Sequence, residues 1–138
     1  MRRPKQAISI EALRKKLSFW QKKMDMADWE ISIEYADSHK IGKDSVALIE
    51  VDERMDRMAK IFIWDQYHKT EHYNVRYNLD TVIIHELVHA FINEPMRPIP
   101  AKIRKRTYLH DFEEWLCDNF ADIMYRVVTG KFAKKVKK

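Results

Sequence analysis

The chain of 138 residues predicts a single α+β domain, and three observations carry that expectation. Apolar residues recur at helical spacing near both ends of the chain. Between those regions lie three short runs of strand character, rich in Val, Ile, Phe and Trp. The stretch from Asp80 to Asn93 is an apolar helical pattern interrupted by His85, Glu86 and His89. The predicted order is an N-terminal helix, a three-stranded and mainly antiparallel sheet, a helix bearing the histidines and a C-terminal helix. Residues 1–130 form the domain, and residues 131–138, with five lysines, form a basic tail.

In the first helix Ile10, Leu13, Leu17, Trp20 and Met24 share one face, with lysines and arginines opposite. Ser9 is its predicted N-cap, and Ala12 leaves the capping box incomplete. Residues 29–35 alternate apolar and polar, which predicts a strand with one buried face. Residues 39–44 make a turn around Gly42, and residues 45–51 and 58–64 read as two further strands. The connections are short, which favours an antiparallel meander. Residues 66–78 are polar and aromatic without clear period. In the histidine helix Asp80 is the predicted N-cap, and the end falls near Asn93 because Pro95 follows. Residues 95–100 read as an irregular, proline-rich loop. The last helix begins near His110, shows Phe112, Trp115, Leu116, Phe120, Ile123, Met124 and Val127 as its core stripe, and stops at Gly130.

Composition excludes several classes. At 46% hydrophobic and 12% aromatic residues, the chain can bury a core and is not a disordered segment. Its two glycines disfavour a glycine-rich nucleotide loop, and no apolar run is long enough to cross a bilayer. The basic start, Met1 to Lys5, is followed by no apolar signal segment. Cys117 is the sole cysteine, which excludes an internal disulfide and makes a cytoplasmic setting the expectation. The net charge of +5 is concentrated in the tail and in residues 102–106. It marks solubility first and contact with nucleic acid second, since no nucleic-acid-binding motif accompanies it.

The chemistry lies in His85-Glu86-Leu87-Val88-His89. One helical turn separates the two histidines, so both imidazoles project from one face and can hold one Zn²⁺. Glu86 beside them can take a proton from a water at that ion. A catalytic zinc wants a third protein ligand and an open position. The last helix offers Glu113, Glu114 and Asp118, with His110 just before. Glu114 and Asp118 are four residues apart and share a face, so Glu114 is placed on the metal and Asp118 on the second nitrogen of a histidine ligand. Glu113 is rotated about 100° from Glu114 and is expected in solvent. Cys117 has apolar neighbours and reads as a small core residue, not as a nucleophile.

These residues resemble the gluzincin metallopeptidases, whose pattern is His-Glu-x-x-His followed by Glu-x-x-x-Asp on a later helix. The chain's length and order are similar to the minigluzincins, including phage and prophage metallopeptidases. Glu114-Trp-Leu-Cys-Asp118-Asn-Phe120-Ala121 is also similar to a stretch of the ImmA/IrrE-type peptidases, with Cys117 and Asp118 where that family has alanine and asparagine. The resemblance covers both helices and, more loosely, the strands before them. It implies a minimal zincin fold and a zinc-dependent peptidase acting on a protein or peptide. His85, His89 and Glu114 would be ligands to one Zn²⁺ per chain, and Glu86 the catalytic base. It also implies an edge strand beside the cleft where an extended peptide adds, for which residues 58–64 are the candidate. For stabilising an oxyanion, Tyr108, His110 and Tyr125 are the candidates.

His68-Lys-Thr-Glu71-His72 matches the inverted motif His-x-x-Glu-His. It lacks an apolar helical face and a helix start, so His68, His72 and also His39 read as solvated loop residues. Two rival functions use the same sequence differently. One keeps the zinc site as a catalytically weak or inactive scaffold for a protein partner. The other treats the motif as accidental in a basic nucleic-acid-binding accessory protein.

Overall fold

The structure is a computed structural model, and the residues it describes are 7–69 and 78–130. The basic tail expected at 131–138 lies outside them, as do Glu71 and His72 of the inverted motif. The architecture is α+β. Helix α1 (Ile10–Lys23) is followed by strand β1 (Glu30–Ala36), a short helix α2 (Ser38–Ile41), and strands β2 (Ala47–Val51) and β3 (Met58–Trp64). A 3-10 turn (Tyr67–Lys69), α3 (Leu79–Met96), the single turn α4 (Ala101–Arg104) and α5 (Thr107–Thr129) complete it.

Helix α1 forms as its pattern predicts. Ser9 Oγ accepts the N–H of Ala12, and Leu13, Leu17 and Trp20 are buried while Ile10 and Met24 pack at the margin of the core. The sheet is mixed, in the order β1-β3-β2, and this corrects the antiparallel meander. β1 runs parallel to β3, pairing Ile33 with Ile61, and β2 runs antiparallel to β3, pairing Ile49 with Ile61. The cause lies between β1 and β2. The expected turn at 39–44 is α2, capped by Asp37 Oδ1 on the N–H of Lys40 and ended by Gly42 at φ 101°. Ile41 is buried and Lys40 lies over the ring of Phe62, so α2 packs across the outer face of β3. The chain therefore passes over β3 and lays β2 on its far side. β3 is the central strand, and β2 is the edge nearer α3.

α3 is the middle of the molecule. It packs on α1, β2 and α5, and Ile83, Ile84, Leu87 and Ala90 are fully buried. Its N-cap is Asn78, not Asp80. Asn78 Oδ1 accepts the N–H of Thr81, and its carbonyl accepts the Thr81 hydroxyl. Asp80 instead reaches α1, accepting from Trp20 Nε1 at 2.9 Å and Lys16 Nζ at 3.1 Å. The helix continues past Asn93 and ends at Met96, with Pro95 in the last turn, where only one intrahelical bond is at stake. Two arginines hold that end to the β2–β3 connection. Arg97 donates to Asp56 Oδ1 and to the carbonyls of Asp52 and Met55. Arg57 bridges Glu94 and Asp28.

α5 packs on α3 by a face other than its largest apolar residues. Cys117, Ala121 and Tyr125 are buried, whereas Phe112, Trp115, Phe120, Ile123 and Val127 are exposed, Trp115 by 59%. Gly130 ends the helix in the left-handed region at φ 70°, as expected. None of the described helices is long and apolar enough to cross a membrane.

The Asp80 link is testable. Trp20 is almost fully buried, so Asp80→Ala leaves its indole N–H without an acceptor and should destabilise the fold by about 1–3 kcal/mol. Chemical denaturation of the variant checks this; an unchanged midpoint would contradict the link.

Candidate metal centre

The packing of α5 on α3 brings five side chains together. His85 and His89 project from α3 with ring centroids 4.8 Å apart and their Nε2 atoms 3.1 Å apart. Glu114 faces both from α5, with Oε2 3.3 Å from His85 Nε2 and Oε1 3.0 Å from His89 Nε2. Asp118 Oδ1 lies 2.8 Å from His85 Nδ1. Glu113 Oε2 lies 2.6 Å from His89 Nδ1. Glu113 is therefore not directed to solvent. The α5 backbone crosses above two histidines one turn apart, and adjacent glutamates straddle them.

The hydrogen-bond roles follow from chemistry. A carboxylate only accepts, so each Nδ1 facing one carries the proton, and a ring that holds no second proton presents a bare lone pair at Nε2. Two such lone pairs and the Glu114 carboxylate converge on one point. Such a set suits a cation between them, or protons on the imidazoles in its place. Donors held at about 2.0–2.1 Å around a tetrahedral zinc lie about 3.3 Å from one another. The separations of 3.0–3.3 Å match that. His85, His89 and Glu114 could thus hold a metal ion.

Without a metal, protons take its place. Burial opposes charge on His89, but hydrogen bonds that it donates to Cys117, Glu113 and Glu114 outweigh it and push its pKa up to about 12. Burial also opposes charge on His85, and Glu114 and Glu86 raise it above the usual value. Hydrogen bonds from both imidazoles hold Glu114 well below the usual carboxylate range. Glu86 is 7% exposed, and burial raises its carboxyl while the two histidines draw it down. Burial likewise pushes the Cys117 thiol up; it is fully enclosed and packs in the core.

The centre opens into a cleft of about 600 Å³. Residues 44–49, Val51 and Glu53 form one wall along β2, and α3 and α5 supply the other, with Glu86, Asn93 and Ala121 among its residues. The strand along the cleft is β2; residues 58–64, the expected edge, are internal to the sheet. Tyr108, His110 and Tyr125 do not line the cleft: Tyr108 is exposed, and Tyr125 is buried against Trp20. His68 sits on the 3-10 turn, away from the cleft lining.

Comparison with protein-family models, with curated proteins and with solved structures gave no match.

Protonated histidines compete with a metal. Because His85 and His89 hold their protons to higher pH than free imidazole, an incoming ion must displace them. Apparent zinc affinity should therefore go on rising with pH above the free imidazole value of about 6.5, with protons released on binding. Calorimetric titration in two buffers of different ionisation enthalpy counts those protons; a pH-independent affinity would contradict the arrangement.

Proposed function

We propose that this protein is a zinc-dependent metallopeptidase. The observation that carries the reading is the convergence of His85, His89 and Glu114 on one point beside Glu86, at the floor of an open cleft. His85, His89 and Glu114 would hold one zinc ion. When bound, it supplies a Lewis acid that polarises the scissile carbonyl and acidifies the attacking water. Glu86 accepts a proton from that water and passes it to the departing amine. Burial raises its carboxyl above the usual carboxylate range, which strengthens it as a base. Asp118 and Glu113 fix the two imidazoles with Nε2 toward the ligand point. β2 is an edge of the sheet along the cleft, with no strand on its outer side among the described residues, where an extended peptide would add as a strand. The single, buried cysteine supports a reducing cytoplasm as the setting.

One observation favours a second reading, a zinc-bound scaffold that binds a protein partner without turnover. None of Tyr108, His110 and Tyr125 lines the cleft to steady a developing oxyanion.

Glu86→Gln separates the two. Under the peptidase reading the variant keeps its zinc and loses peptidase activity by about 10²–10⁴-fold, as removal of a general base does. Cleavage of unfolded protein by wild type and variant is the measurement. Equal cleavage by both would sink the role of Glu86, and no cleavage by zinc-loaded wild type would favour the scaffold.

A further inference from the structure

The cleft carries charge opposite to that of the chain. The chain as a whole is +5. Yet the cleft is lined by Asp44, Glu53, Glu86, Glu113, Glu114 and Asp118, and among the described residues no lysine or arginine lines it. A divalent ion offsets two of these six charges. The remainder do not sit only at the metal. Asp44 precedes β2 and Glu53 follows it, so carboxylates stand at both ends of the edge strand as well as on the opposite wall. β2 spans about 17 Å at about 3.4 Å per residue, the length of about five residues of an added strand.

The nearest cation does not cancel Glu53. Arg97 Nε is 4.0 Å from it, whereas the same guanidinium is 2.9 Å from Asp56 and 3.0 Å from the carbonyl of Asp52. Glu53 accepts one long hydrogen bond, from Asn93 Nδ2 at 3.4 Å, and its side chain is 55% exposed, so its carboxylate is accessible to a ligand. A concave, low-dielectric groove lined by one sign of charge focuses its field and concentrates ligands of the other sign.

We propose that the cleft selects cationic peptides, with lysine or arginine flanking the segment that lies along β2. The inference rests on the peptidase reading for the site and names its substrate class. Asp44 and Glu53 receive the two ends of the segment, and Glu113 and Asp118 set the negative potential at its centre. Acidic peptides and nucleic acids are repelled by the same groups.

The test uses the full chain as a zinc-loaded Glu86→Gln protein and two fluorescein-labelled octapeptides. One carries Lys and Arg on both sides of an Ala-Leu centre, and the other carries Glu and Asp at those positions. At low salt the cationic peptide should bind at least about tenfold tighter, and the gap should shrink as NaCl rises. Asp44→Asn with Glu53→Gln, both surface changes, should narrow the gap severalfold. Equal binding, tighter binding of the acidic peptide, binding of neither, or a gap untouched by the double variant would overturn the proposal. The kcat/KM of wild type on the same peptides is the second readout. Binding preference without cleavage of either peptide removes the peptidase reading and leaves the charge selection standing. Equal cleavage of both does the reverse.

Discussion

Two imidazoles and a carboxylate meet at one point between α3 and α5, and the arrangement of the protein follows from that meeting. His85 Nε2, His89 Nε2 and Glu114 lie 3.0–3.3 Å apart, because both Nδ1 atoms are already committed to carboxylates. Such a cluster needs positive charge, supplied by a bound cation or by protons on the imidazoles. It persists because α3 and α5 are packed rigidly elsewhere. Cys117 and Ala121 are small enough to let α5 lie close on α3, and that closeness brings Glu113, Glu114 and Asp118 within reach of the histidines.

The same constraint explains how the rest of the chain is used. α3 must be held at both ends to present its histidines at a fixed angle. At its start Asp80 is tied to Trp20 and Lys16 of α1. At its end Arg97 and Arg57 clamp it to the β2–β3 connection. The exposed ion pairs in that clamp are each worth about 0–1 kcal/mol, so their contribution is to geometry more than to stability. They set the position of β2, and with it the width of the cleft between the edge strand and the ligand face. The outer carboxylates have a comparable positional part, since partners of this kind typically affect metal affinity by about 10–100-fold.

Much of the site was readable in the sequence because it depends on spacing within single helices. His85 and His89 are four residues apart, as are Glu114 and Asp118, and helical geometry alone puts each pair on one face. What was hidden depends on how elements meet. Glu113 looked solvent-directed on α5 taken alone, but α5 crosses over two histidines and leaves both adjacent glutamates a partner. The big side chains of α5 form the stronger apolar stripe by period, yet Phe112, Trp115 and Val127 are exposed and the small residues face α3. Strand order was hidden too, although Met58-Ala-Lys-Ile-Phe-Ile-Trp64 is nearly unbroken in apolar character, the signature of a strand buried on both faces. Asp80 was read as a cap because local chemistry favours it there; a contact with Trp20, sixty residues away, took it instead.

The central claim is that α3 and α5 together form one metal centre. Metal content per chain, read by mass spectrometry on wild type, His85→Ala, Glu114→Ala and His68→Ala, tests it most directly. The account predicts one ion per chain, lost in the first two variants and kept in the third. Absence of metal from wild type even after zinc is supplied would contradict it. So would metal kept in His85→Ala but lost in His68→Ala, which would move the centre to the inverted motif.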